Sequence, residues 1–279
     1  MQTGQPSRTA RAAAHHRAAH QVLENGRIFS DPLALRILGE DAGTVAREVA
    51  EKPSGARMRI FIAVRTRFAE DALAAAVERG VRQLVVLGAG LDTYAYRGAL
   101  RHRLRIFEVD HPATQQWKRE QLAGAGIPLP DCLTFAPVDF ERQSLPEGLA
   151  STGFDPAQPT FSTWLGVVPY LTKAAFWSTA GFIASLPNGA HVVFDYSDPP
   201  HTLPPELRAL HDLGAARVAG LGEAWINYFE PEQLRAGLHD LGFNDVEDLG
   251  PPQIVSRYFP NRAGAVPERG GHILRAASI

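Results

Sequence analysis

An internal disulfide is impossible in this sequence, because its 279 residues include a single cysteine, Cys132. That usage fits a reducing compartment and sets aside the small bridged scaffolds of secreted proteins. No apolar run approaches the ~20 residues of a membrane-spanning helix, so no membrane partner is expected. Basic runs are missing too: Lys and Arg number 28 against 30 Asp and Glu, for a net charge of −2. With no basic patch interleaved with aromatics, nucleic acid is not an expected partner. The first 23 residues contain no acid and carry Arg8, Arg11 and Arg17. They lack the apolar centre of a secretion signal, and an alanine-rich surface helix describes them better than a transit peptide. A cytoplasmic location is the expectation. Internal repeats and low-complexity linkers are also missing.

What is there is ordinary for a globular protein: 45% hydrophobic and 21% charged residues. The length suits one large domain with added caps. An alanine-rich helix over residues 9–24 should stop near Asn25-Gly26, and "SDPLALRIL" reads as a second helix, with Ser30 or Asp31 as its cap. "KPSG" (Lys52 to Gly55) breaks the chain before a long helix from about Ala56 to Glu78. Strands then alternate with helices. "RQLVVLGAG", "RLRIFEVD", "CLTFAPVDF", "PTFSTWLGVVPYL" and "AHVVFDYS" read as five strands, with helices in "HPATQQWKREQLAGAG" and "TKAAFWSTAGFIASLPNG". This is the pattern of an α/β, doubly wound, mostly parallel sheet covered on both faces. Residues 1–56 form a helical cap and 57–197 the ligand-binding core. Residues 198–230, proline-rich and then irregularly helical, form an insertion. Residues 231–279 add a helix and two last strands.

The chemistry concentrates in "LVVLGAGLDTYAYR" (Leu84 to Arg97). Gly88 and Gly90 permit positive φ and, with Ala89 between them, let a ligand approach the backbone. Glu108 and Asp110 follow Gly88 by 20 and 22 positions and share one face of the second strand. An acid at that strand end suits ribose hydroxyls. Asp139, at the end of the third strand, can accept from an exocyclic amine while Phe140 packs on a ring. A dinucleotide would need a third glycine and tolerance of a pyrophosphate. Here Thr93 replaces the glycine and Asp92 would repel the phosphates. The ligand should therefore carry adenosine but no phosphate, which S-adenosyl-L-methionine satisfies. Its carboxylate needs a cation, for which Arg65 and Arg67 are available. Two residues apart on one helix, they cannot both face the site. His16 and His20 have metal-compatible spacing but no third ligand nearby, and no metal is expected.

Taken in order, "RTRF", "LVVLGAGLDTYAYR", "FEVDHPA…KR", "PVDF" and "WLGVVPYLT" resemble the leucine carboxyl methyltransferase family. The similarity is to its bacterial branch of S-adenosylmethionine-dependent O-methyltransferases, including some that act in secondary metabolism. It covers roughly residues 10 to 200. The resemblance implies a Rossmann-like class I methyltransferase sheet of seven strands, the last antiparallel. It implies that Arg65, rather than Arg67, holds the methionine carboxylate, Gly88 and Gly90 admit the methionine part, Asp110 takes the ribose, and Asp139 and Phe140 meet the adenine. Many members carry a glutamate where this sequence has Leu165, so the cofactor's amino group needs another acceptor, such as the backbone carbonyl of Gly88 or Leu165. The expected partner is a small-molecule methyl acceptor, a carboxylate or hydroxyl. Tyr170 is the candidate catalytic residue, with Arg257, Arg275, His201 and His272 as further candidates to hold the acceptor. Trp225, Tyr228 and Phe229 either line its pocket or anchor the cap. Two other readings stay open: an NAD-type dehydrogenase, and a non-catalytic relative that binds the cofactor. Nothing in the sequence fixes the oligomeric state.

Overall fold

The computed structural model describes residues 7–51, 55–140 and 142–278. Most of the expected break at "KPSG", Lys52 to Ser54, lies outside them. The chain divides into two compact units, residues up to Phe154 and residues from Asp155. Its seven-stranded sheet has the order β3-β2-β1-β4-β5-β7-β6.

In the first unit, β1 (Gln83–Leu87), β2 (Arg105–Asp110) and β3 (Leu133–Pro137) are parallel neighbours. Every residue of β1 is buried, as a strand covered on both faces requires. Register places Leu87 beside Val109 and Asp110 beside Pro137. The three strand tips therefore open the same edge. Around them lie α1 (Arg8–Leu23), α2 (Ala34–Leu38), α3 (Ala42–Glu51), α4 (Ala56–Glu78), α5 (Tyr94–Arg97), α6 (Pro112–Gly124) and α7 (Leu145–Ala150).

The first helix is not the surface helix its composition suggests. Ala14, Ala18 and Ala19 are fully buried and cluster with Ile37 and Leu38 of α2 and Val45 of α3. Residues 14 and 18 lie one turn apart on one face, and methyl side chains let helices approach closely. The helix stops as expected: Asn25 and Gly26 take φ of 51° and 62°, where only short or absent side chains are at ease. The third helix has no counterpart in the sequence reading. It buries only Val45, so its apolar stripe is too thin to read, although Asp41 caps it by accepting from Thr44 N at 2.9 Å.

In the second unit, β4 (Thr160–Trp164) runs parallel to β5 (Ala190–Ser197), while β7 (Gly271–Ser278) is antiparallel to both β5 and β6 (Asp245–Leu249). The helices are α8 (Lys173–Ala184), α9 (Pro205–Gly220), α10 (Pro231–Asp240) and α11 (Pro251–Tyr258). The stretch after Asp198 was expected to be irregularly helical. It is instead a regular 16-residue helix, α9, that starts on Pro205, and a segment without regular structure follows it. Proline is at home in a first helical turn, so the proline cluster marks a helix start. Phe229 anchors that segment. Its ring lies 4.7 Å from Phe176 and 5.9 Å from Trp177, and full burial of such a side chain contributes about 1.5–3 kcal/mol.

Candidate active site

At the end of β1 the chain turns on Gly88 and Gly90, at φ of 63° and 45°. Between them Ala89 donates its N–H to the Val109 carbonyl at 3.1 Å, which fastens the turn to β2. Asp110 closes the clasp. Its carboxylate accepts from Gly90 N at 2.6 Å and from His111 N at 2.7 Å. Each oxygen keeps a second lone pair for a ligand hydroxyl. Burial pushes this carboxyl above the usual range, while the two backbone N–H groups oppose the rise.

Glu108, on the same face as Asp110, has a different task. It is fully buried with its Oε2 2.7 Å from Lys118 Nζ. Burial pushes the Glu108 carboxyl up to about 7, against the pull of Lys118. The acid is thus an internal partner of α6, and Asp110 alone stands at the strand tip.

The missing third glycine has a structural explanation. Asp92 accepts from Tyr94 N at 2.8 Å and so starts α5. Thr93, fully buried, donates from Oγ1 to Asp31 at 2.8 Å, and Arg97 Nε donates to Thr93 Oγ1 at 2.8 Å. Arg97 also reaches Glu70 at 2.5 Å. From α1, Arg17 donates to the Leu91 carbonyl at 2.5 Å and to Asp31 at 3.4 Å. The Asp31 carboxylate, with a side-chain exposure of 0%, is the hub of this network. The Asp-Thr pair thus ties the glycine turn to the N-terminal helices.

Asp139 lies two residues beyond the end of β3, slightly later than expected, in a turn whose carbonyl accepts from Arg142 N and Gln143 N at 2.8 Å. Its neighbour Val138 donates to the Asp110 carbonyl at 2.9 Å, which sets the two acid-bearing tips side by side. Phe140 is exposed. The two arginines part company on α4. Arg65 is 8% exposed, whereas Arg67, with a side-chain exposure of 51%, holds Asp71 through two 2.8 Å contacts.

In the second unit, Leu165 is half-buried and is followed by Gly166 at φ 72°. Gly166 N donates to Asp195 Oδ1 at 2.6 Å. Asp195, buried within β5, escaped the sequence reading. Its signal was a lone charge inside an otherwise apolar strand. Tyr170 is half-buried and ends a short 3-10 turn, Val168–Tyr170. Three further candidates are engaged elsewhere. Arg257 pairs with Glu247 at 2.5 Å, and Arg275 pairs with Asp245 at 2.7 Å and Glu247 at 3.4 Å. Arg275 thus pairs across β7 and β6, and Arg257 reaches β6 from α11. His272 is locked between Asp248 at 3.0 Å and Asp198 at 3.2 Å. Burial alone would lower its pKa, but the bonds to Asp198 and Asp248 raise it to about 9. His201 lies exposed in the 3-10 turn Pro200–Thr202. Trp225 and Tyr228 pack against His211 of α9, with Tyr228 Oη 3.0 Å from His211 Nε2. With Phe229 in the aromatic cluster, this set anchors the segment. His20 is buried, bonded to Glu24 at 3.1 Å and to Ile28 N at 3.3 Å. Among the described residues no three His, Cys, Asp or Glu side chains are grouped to hold a metal.

Residues 10–184 match the sequence profile of the leucine carboxyl methyltransferase family. A Bacillus subtilis (strain 168) protein named "Putative S-adenosyl-L-methionine-dependent methyltransferase YktD" is 29% identical over 94% of each chain. A Parafrankia sp. (strain EAN1pec) protein of the same designation is 33% identical over 78% of this chain and 74% of its own. Among solved structures, a methyltransferase similarly designated from Thermobifida fusca YX covers 99% of this chain and 96% of its own at 15% identity, with a TM-score of 0.56. That last likeness is one of fold. The chain belongs to the leucine carboxyl methyltransferase family and is a S-adenosylmethionine-dependent methyltransferase of mixed α/β fold with a seven-stranded, mostly parallel sheet.

Proposed function

We propose that this chain is an O-methyltransferase that modifies a carboxylate or hydroxyl oxygen of a small molecule. The clasp of Gly88, Ala89, Gly90 and Asp110 is the observation that carries the donor half of this reading. Two positive-φ glycines without Cβ atoms border a carboxylate that retains lone pairs for ribose hydroxyls. Asp92 beside the turn disfavours a phosphate-bearing ligand. A buried arginine, Arg65, supplies a cation for the donor's carboxylate. Asp139 accepts from the adenine amine and Phe140 covers the ring. Leu165 cannot accept from the donor's amino group through its side chain, so a backbone carbonyl in that turn takes the role.

When bound, S-adenosylmethionine supplies an activated methyl group on a sulfonium. The protein's part is alignment and exclusion of water. Tyr170 orients the acceptor oxygen by hydrogen bonding. A carboxylate acceptor is already anionic at neutral pH and needs no base, and a hydroxyl acceptor must lose its proton.

The test pairs donor binding with turnover. Thermal unfolding with S-adenosylmethionine, S-adenosylhomocysteine and NADH should give a saturable shift with the first two only. Radiolabelled methyl transfer to small carboxylic acids and phenols should then yield an ester or ether. Stabilisation by NADH alone would overturn the donor assignment, and label on nitrogen, carbon or sulfur would overturn O-methylation.

A further inference from the structure

Asn227 is fully buried, and neither its carboxamide oxygen nor its nitrogen has a hydrogen-bond partner among the described residues. Leaving both ends of a buried amide unpaired forfeits the hydrogen bonds each made to water. Few such groups survive in native proteins without a reason. Its position suggests one. Ile226 N and Asn227 N both donate to the Pro169 carbonyl, at 2.8 and 3.1 Å, and Phe229 N donates to the Ser197 carbonyl at 3.2 Å. The segment is therefore strapped across the residues that follow β4 and the last residue of β5, within one turn of Tyr170. Along it Ile226 is 55% exposed, Asn227 buried, Tyr228 half-buried and Phe229 buried. Asn227 is thus enclosed, as Phe229 is, at the carboxyl ends of strands, where ligands of open α/β sheets bind.

We propose that Asn227 is a specificity residue for the methyl acceptor, and that the acceptor carries a hydroxyl group. The inference rests on the methyltransferase reading and narrows it. A carboxamide offers a donor nitrogen and an acceptor oxygen, and both are unused. A carboxylate can only accept, so it would leave the Asn227 oxygen unpaired. A hydroxyl donates to the Asn227 oxygen and accepts from its nitrogen, which satisfies the pair. The amide becomes accessible when the strap over Pro169 and Ser197 lifts, and its three backbone bonds give that motion a defined closed state.

The experiment uses the full chain saturated with S-adenosylhomocysteine and reads thermal shifts on titration with benzoate, 3- and 4-hydroxybenzoate and phenol. The wild type should bind at least one hydroxylated compound tenfold or more tightly than its hydroxyl-free counterpart, because a site built for a hydroxyl rejects the analogue lacking it. Asn227→Leu, which keeps the branched shape, should reduce that preference to within twofold while binding S-adenosylhomocysteine as the wild type does. Asn227→Ala repeats the measurement with less bulk, should leucine disturb the fold. A preference that survives either variant, or a wild type that none of the hydroxylated compounds stabilises, overturns the proposal. Failure of the donor reading would appear earlier, as a wild type that S-adenosylhomocysteine does not stabilise at all.

Discussion

At the tips of β1 and β2 the charged and polar groups answer one another. At the tips of β4 and β5 a whole carboxamide goes unanswered. The first region holds Gly90 and His111 on Asp110, and Thr93 and Arg17 on Asp31. The second holds its covering segment by three backbone bonds and the packing of Trp225, Tyr228 and Phe229. The contrast teaches that the turn proposed to hold the donor is fixed by its own hydrogen bonds, whereas the segment proposed to meet the acceptor keeps one buried amide unpaired. Preorganisation suits a cofactor that is the same in every turnover. A segment left incomplete suits the part of the enzyme that distinguishes one acceptor from another.

The contrast can be broken most forcefully at its most crowded point. Asp31→Ala should lower the unfolding free energy by about 3–5 kcal/mol in urea titrations, because the buried guanidinium groups of Arg17 and Arg97, each 3.4 Å from Asp31, lose their shared anion. A loss below about 1 kcal/mol would mean that the network is ornamental and the first region no more preorganised than the second. Next in size is a test of the second unit's own fixed point, His272. Its folded pKa of about 9 exceeds the ordinary 6.5. Its contribution is therefore complete below about pH 6.5 and fades as pH rises through about 9, by about 3 kcal/mol in all. His272→Gln should flatten this part of the stability profile measured between those limits. An unchanged profile would place the titration elsewhere.

Smaller effects sharpen the donor half. Asp110→Ala should abolish the stabilisation by S-adenosylmethionine, about 2.7 kcal/mol at a hundredfold excess over Kd. A retained shift would remove Asp110 from the ribose. Smallest is the arginine pair. Arg65→Met should weaken donor binding tenfold or more in calorimetric titrations, and Arg67→Met should change it less than twofold, since an exposed i,i+4 pair contributes only about 0.3–0.5 kcal/mol. Equal losses from the two would undo the division between a buried and an exposed arginine.

The first region was also the more legible in sequence. Its strands, its glycine turn and the acids at the tips of β2 and beyond β3 are local features, readable from period and punctuation. Gly88, Gly90 and Asp110 lie within 23 consecutive residues and meet as the strand pattern demands. What the sequence hid is non-local. Thr93 and Asp31 stand 62 residues apart, and Gly166 and Asp195 stand 29 apart. No periodicity connects them, so Asp31 read only as a helix cap and Asp195 as nothing. Glu108 read as a possible ribose ligand because its face was legible and its depth was not. Asn227 sits in "AWINYF", which reads as part of an irregularly helical stretch, and only the fold reveals that it is enclosed.

The docking of α1 bears on how this chain is made. Arg17 finds the Leu91 carbonyl 74 residues downstream, and Ser7 N reaches Thr114 Oγ1 across 107 residues. During synthesis at about 5–20 residues per second, α1 therefore waits several seconds for these two partners. Its alanine face can pack on α2 and α3 meanwhile. A slow stretch of translation between residues 25 and 114 would lengthen the interval in which Arg17 and Ser7 lack their contacts.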